Sequence, residues 1–157
     1  MPAVDPPDSS APAFGDGAFL PLTLSTIRAA PAAGELGSLA DRARRAEAAA
    51  VVSWQALLGD CACAQRRRFP DHLRELSEAA GAYFSATFST TSSATTAGGD
   101  RWRASALRAR VSEFERWAAD ALAEGDGEEF AEACAGYDAA LARALATAAD
   151  RAGGTAN

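Results

Sequence analysis

Lysine is absent from this 157-residue chain: all 15 basic side chains are arginines, and that bias carries no functional reading of its own. Histidine occurs once, at His72. A ferritin-like di-iron centre needs two Glu-x-x-His pairs, and the residue three before His72 is Phe69, so that chemistry is excluded. A Ser-His-Asp relay would have to use the same imidazole, and no G-x-S-x-G elbow accompanies it. His72 reads instead as a surface residue in the first turn after Pro70. Three cysteines, an odd number in a chain of this length, make no disulfide framework and point to a reducing compartment. Long apolar runs are missing too. The nearest, Ala18 to Ile27, is interrupted by Pro21 and is too short to span a bilayer. The opening MPAVDPPDSSAPAFGD is acidic and proline-rich, where an export signal needs a positive stretch and then an apolar one. A cytoplasmic location is expected.

Large aliphatic and aromatic residues are also sparse. Ile, Leu, Val and Phe number 25, about one residue in six, close to the composition at which chains stay disordered. Alanine, present 42 times, shifts the balance towards order, because it loses no side-chain entropy in a helix and supplies backbone order by propensity where burial is modest. The length suits one domain. The net charge of −6 sets the chain against nucleic-acid phosphates, so no nucleic-acid partner is expected.

Along the chain the composition changes in steps. Residues 1–37 hold six of the seven prolines and read as an irregular arm, sparse in regular structure. Its Phe14, Phe19, Leu20, Leu22, Leu24 and Ile27 are apolar enough to dock on the body of the protein or on a partner. Ser38 is a good N-cap for a first long helix. The inward side of that helix runs through Leu39, Ala43, Ala46, Ala50, Trp54, Leu57 or Leu58, Cys61 and Ala64. Pro70 interrupts the period, which restarts at Leu73, Leu76, Ala80, Tyr83 and Phe84, so two helices or one helix kinked at Phe69 and Pro70 are expected. Residues 85–99, SATFSTTSSATTAGG, read as a linker. Asp100 is placed to cap the next helix, with Trp102, Leu107, Val111, Phe114, Ala118, Ala121 and Leu122 on one side and a stop at Gly125. Asp126 and Glu129 form a capping box, opening a last helix whose stripe is Phe130, Cys134, Tyr137, Leu141, Leu145 and Ala148. The last two helices should pair as an antiparallel hairpin. The expected fold is all-α: an antiparallel bundle of three to four long helices over residues 38–152, with the N-terminal arm before it and a short tail at 153–157.

Chemical constellations are thin. Cys61 and Cys63 are two apart, which on a helix turns them roughly 200° from each other, so they share no ion there. A zinc site from Cys61, Cys63, Cys134 and His72 needs the helix broken at CAC. As a small buried hydrophobe, cysteine explains Cys61 and Cys134 without further assumption. No catalytic, cofactor-binding or metal-binding set emerges, and the chain reads as non-enzymatic. Arg66, Arg67 and Arg68 form the densest basic cluster, suited to an anionic surface or to a plain solvated face. Arg101, Arg103, Arg108 and Arg110 crowd the start of the third helix, where the dipole is positive. Asp120, Glu124, Asp126, Glu128, Glu129 and Glu132 crowd the opposite end of the hairpin. One basic tip and one acidic tip suggest self-association or docking on an anionic surface. Trp102 and Trp117, about 60° apart on one helix, are either core residues or the edge of an interface.

From Leu39 to Ala152 the texture of the chain resembles the phasins, helical coat proteins of polyhydroxyalkanoate storage granules. The likeness rests on alanine-rich amphipathic helices, the central run WQALLGDCACAQRRR and the closing segment EACAGYDAALARALATAADRA; Pro70 and the missing lysine depart from the family. It implies a non-enzymatic protein whose amphipathic helices lie on a hydrophobic granule or lipid surface, with oligomers in solution. The alternative is a scaffold or accessory subunit that engages a larger protein assembly through its N-terminal arm or a helical face. Either way a protein partner or self-association is expected, and no cofactor.

Overall fold

A computed structural model describes residues 18–30, 36–61, 63–89 and 105–153. They form five helices: α1 (Pro21–Ala29), α2 (Leu36–Leu58), α3 (Ala64–Ser89), α4 (Ala106–Glu124) and α5 (Gly127–Gly153). No described residue lies in a strand. The expected all-α fold is what the chain adopts, with one helix more than anticipated.

The four long helices run up, down, up, down. Arg42 of α2 meets Glu75 of α3, while Ser38 and Leu39 face Ala82 and Tyr83, so those two are antiparallel. Ser77 of α3 bonds Glu115 of α4, and Arg66 reaches Leu122, again antiparallel. Leu107 and Arg110 flank one groove with Ala140 and Arg143, and Trp117 donates to Glu129, which closes the antiparallel α4–α5 hairpin. Most residues that the helical period placed inward are inward: Leu39, Ala43, Ala46, Ala50, Leu73, Leu76, Ala80, Val111, Ala118, Ala121 and the whole α5 stripe are buried, Trp54, Leu57, Leu107 and Phe114 are half-buried, and Leu58, Cys61 and Ala64, at and beyond the end of α2, are exposed. Many of these positions are alanine, which lets helices approach closely at the expense of apolar area.

The break between α2 and α3 follows Leu58 and ends before Ala64; it does not fall at Phe69–Pro70. Asp60 takes up a left-handed conformation (φ 50°), its N–H donates to the Leu57 carbonyl (3.3 Å), and the Cys61 N–H donates to Ala56 (2.8 Å). Those are the paired bonds of a Schellman motif, with aspartate in the place glycine usually takes. They satisfy the last carbonyls of α2 and end it there. Pro70 sits inside α3, with no N–H to return to the Arg66 carbonyl. Burial of Phe69, Leu73 and Leu76 on that stretch holds the helix through the proline.

Other boundaries move as well. α2 starts at Leu36, so Ser38 lies within it rather than capping it, and the extra turn buries Leu36. Residues 85–89 of the expected linker continue α3: Thr87 is buried, and its hydroxyl donates back to Tyr83 (2.9 Å). The cap of α4 is Ser105, which accepts from the Arg108 N–H (3.2 Å); the expected cap, Asp100, lies outside the described residues. α4 stops at Gly125, in the left-handed region (φ 79°), as its position after the last inward residues predicts. The Asp126 carboxylate accepts the Glu129 N–H (3.0 Å), which is half of the expected capping box. The other half is replaced: the Asp126 N–H goes to Ala121 (2.9 Å), and the Glu129 side chain accepts from Trp117 Nε1 (3.4 Å).

Candidate interaction site

The segment expected to be irregular contains α1, and its helical start follows from Pro21. Proline at the first helical position has its φ preset and no N–H to satisfy. The residue before it, Leu20, has no side chain able to cap, so the free donors of the first turn need acceptors from elsewhere. Two carboxylates on other helices supply them. Glu47 of α2 accepts from the Phe19 N–H (2.9 and 3.0 Å) and the Leu20 N–H (2.7 Å). Asp138 of α5 accepts from Leu22 (2.9 Å) and Thr23 (2.8 Å), and the Thr23 hydroxyl donates to the Asp138 carbonyl (3.3 Å). The next amide, Leu24, makes the first bond of the helix itself, to Leu20 (3.1 Å). Every amide from Phe19 to Leu24 that can donate is therefore paired. The negative charges also lie where the helix dipole is positive.

Beneath that polar clamp the contact is apolar. α1 packs against α2 and α5, with Leu20, Thr23 and Ile27 buried. Phe19 stands against Trp54 (ring centroids 6.0 Å apart) and Phe130 (5.8 Å), and Phe130 meets Phe69 edge-on (5.2 Å). These aromatics join α1, α2, α3 and α5 at one end of the bundle. Gly127 belongs to the same cluster, since a Cβ there would stand 3.3 Å from the Trp54 ring. Cys134 lies behind the clamp, 1% exposed. Burial, then the neighbouring carboxylates of Glu47 and Asp138, push its thiol up to about 12.

A second polar cluster holds the centre. The hydroxyls of Tyr137 and Ser77 share a hydrogen bond (2.8 Å), and the one proton left between them has the Leu73 carbonyl (3.0 Å) and the Glu115 carboxylate (3.1 Å from Ser77) as acceptors; Glu115 faces Arg108 at 3.8 Å. Burial of Tyr137 raises its phenol well above the ordinary value of 10. This chain of groups ties α3, α4 and α5 together. Buried hydroxyls that are satisfied this way favour one helix register over its neighbours.

Three of the arginines flagged in the sequence find partners within the bundle. Arg66, at the start of α3, donates from Nε (3.2 Å) and Nη2 (2.5 Å) to the Leu122 carbonyl, so its guanidinium caps the C-terminus of α4. A cation there complements the dipole and takes up an orphan carbonyl. Arg67 lines a groove with Ala119 and Ala123, and Arg68 is exposed. Arg66 and Arg67 thus lie at the end of α4 that carries the acidic hairpin tip. At the other tip, Arg108 turns inward towards Glu115, and Arg110 lies over the Phe114 ring (5.1 Å) with Glu113 at 3.3 Å.

Of the remaining residues singled out from sequence, Leu22 is 51% exposed, while Phe14, Arg101, Trp102 and Arg103 lie outside the described residues. Trp117 is half-buried and stacks on Phe114 (6.0 Å). His72 is half-buried rather than a surface residue, and its Nδ1 is enclosed without a partner among the described residues. Cys61 is exposed, not the buried hydrophobe expected, because the helix that would have turned it inward has already ended. Among the described residues no three of His, Cys, Asp and Glu gather in a way that would hold a metal ion. No described helix is long and apolar enough to cross a membrane.

Glu47 and Asp138 went unnoticed in the sequence. Each follows an inward residue by one position, Ala46 and Tyr137. The available signal was Leu20-Pro21, a helix start with no capping side chain of its own. No protein-family model, curated protein or solved structure matches this chain.

Proposed function

We propose that the chain is a non-enzymatic helical interaction protein whose binding surface is the groove between α2 and α5, occupied here by α1. One observation carries this reading: α1 is held as a separate helix is held by a receptor. Its N-terminal donors go to carboxylates of the receiving helices, and its apolar side fills their groove. A partner helix that begins with the same uncapped first turn would find the same acceptors. This is the scaffold or accessory-subunit reading, working through the N-terminal arm and the face that it covers. Its partner is a protein, and a cytoplasmic setting belongs to the same proposal.

The test uses a labelled peptide spanning residues 18–30 and the full-length chain carrying Leu20→Asp and Ile27→Asp, which disengages its own α1. The peptide is expected to bind this variant and not the wild-type chain, and adding Asp138→Ala should remove the binding. A variant that stays helical yet takes up no peptide overturns the reading.

The phasin-like coat is a second reading, favoured by the alanine lining. Ala43, Ala46, Ala118, Ala121, Ala133 and Ala148 are fully buried at helix contacts, so opening the bundle exposes little apolar area per residue. The released Leu, Phe and Trp faces would then lie on a hydrophobic granule. Enrichment of the protein on polyhydroxyalkanoate granules or lipid droplets by flotation is the expected result. Complete exclusion from the floating fraction removes the coat and leaves the groove reading standing.

A further inference from the structure

The α4–α5 hairpin carries a groove of about 500 Å³, a size that suits a small molecule. Its floor is apolar: Leu107 and Phe114 come from α4, Ala139 and Ala140 from α5. Gly136 shapes that floor. A Cβ there would overlap the Phe114 ring, so the ring lies against the α5 backbone because residue 136 has no side chain. Trp117 backs the same ring, with centroids 6.0 Å apart. Two guanidiniums share the groove. Arg110 lies over Phe114 (5.1 Å to the ring centroid) and is paired with Glu113 at 3.3 Å, an exposed ion pair that a ligand displaces at little cost. Arg143, exposed on α5, has no ion-pair partner among the described residues. No described acidic residue lines the groove.

We infer that this groove binds a single-chain fatty acid as its carboxylate. The hydrocarbon lies along Leu107, Phe114, Ala139 and Ala140, and the head group meets Arg110 and Arg143. A guanidinium matches a carboxylate in geometry and is weakly hydrated, so it gives up little solvent to form the pair. A hydrocarbon without a head group would leave both cations unpaired beside it, and a cationic amphiphile would meet two like charges. The acidic hairpin tip of a second copy matches the charge but not the floor: Glu124, Asp126, Glu128, Glu129 and Glu132 are exposed there, while Leu122 and Phe130 are buried. The chain as a whole carries −6, so adsorption without a site favours a cationic amphiphile; a preference for the anion reports the local arginines.

The full-length protein is titrated calorimetrically at about pH 8, where a carboxylic acid is ionised. The probes are decanoate and dodecanoate, each below the concentration at which it forms micelles, and dodecyltrimethylammonium as the cation. One fatty acid per chain is expected, bound roughly tenfold more tightly as dodecanoate than as decanoate, since each buried methylene contributes up to about fourfold. The cation should not bind. Arg143→Gln should weaken dodecanoate binding about tenfold and keep the gain from chain length. Ala139→Phe, which fills the floor from an exposed position, should abolish binding. Arg67→Gln, outside the groove, should bind as the wild type does. Absence of uptake, equal uptake of the cation, or undiminished affinity in Arg143→Gln or Ala139→Phe overturns the inference. A doubled mass in light scattering that Ala139→Phe halves would assign the groove to a second copy and overturns it as well. All three positions lie on the surface, so the variants keep the fold; far-ultraviolet dichroism verifies this.

Discussion

Asp138→Ala is expected to lower stability by about 3–5 kcal/mol and to free α1 while the rest of the bundle stays folded. The carboxylate is 2% exposed and accepts two backbone amides of another helix, at 2.9 and 2.8 Å. Removing it leaves two backbone donors without acceptors, Thr23 buried and Leu22 part-buried, and the buried one costs about 1–3 kcal/mol until α1 moves out to reach water. Thermal melts should shift down by roughly 10 °C for a chain of this size. Hydrogen exchange distinguishes the cause: residues 22–29 should lose protection, while α4 and α5 keep theirs. Asp138→Asn keeps one carbonyl oxygen as acceptor and should lose less than half as much. Unchanged protection of α1 in the alanine variant would refute the clamp.

The second large effect is loss of stability in alkali. In the unfolded chain the Cys134 thiol ionises near 9.0 and the Tyr137 phenol near 10.0; burial in the native state holds the thiol proton up to about 12 and the phenol proton well above 10. Above pH 9 the unfolded chain therefore binds fewer protons than the folded one, and rising pH favours unfolding. The contribution of the buried thiol is whole below pH 9 and is lost progressively as pH approaches 12. The slope is about 1.4 kcal/mol per pH unit for each group, so it should roughly double above pH 10, where Tyr137 joins Cys134. Urea melts at intervals from about pH 8 to 11 measure it. Cys134→Ala should flatten the first segment and Tyr137→Phe the second. An equally steep fall between pH 9 and 10 in Cys134→Ala would show that another group is responsible.

The helices are legible in this sequence wherever one face is buried along a sustained run. Phe130, Cys134, Tyr137, Leu141, Leu145 and Ala148 keep the helical step along α5, and no alternative register buries all six. Gly125 and Asp126 were equally plain, because the left-handed stop and the capping carboxylate are local chemistry. The failures share one cause. Propensity puts a break or kink at Pro70, but breaking there would sacrifice the burial of Phe69, while Asp60 needs only a left-handed backbone that aspartate tolerates. In the Ser/Thr-rich run after Phe84, burial of Thr87 carried α3 past the point where composition suggested a linker.

The candidate site was less legible than the fold. Phe19, Leu20 and Leu22 drew notice as an apolar arm, yet what holds them is a pair of carboxylates 28 and 116 positions away. Arg66 showed up as part of a charge run, whereas its role is to meet a single carbonyl of α4 across the bundle.

Sequence alone determined that this chain is helical, where its long inward stripes run, and where the last hairpin turns, because periodicity and capping act over a few residues. Tertiary structure decided that the proline-rich arm carries a helix, which acceptors its first turn finds, and which charges face each other. Those choices depend on pairing groups from distant helices in one buried place, and no local pattern encodes such a pairing.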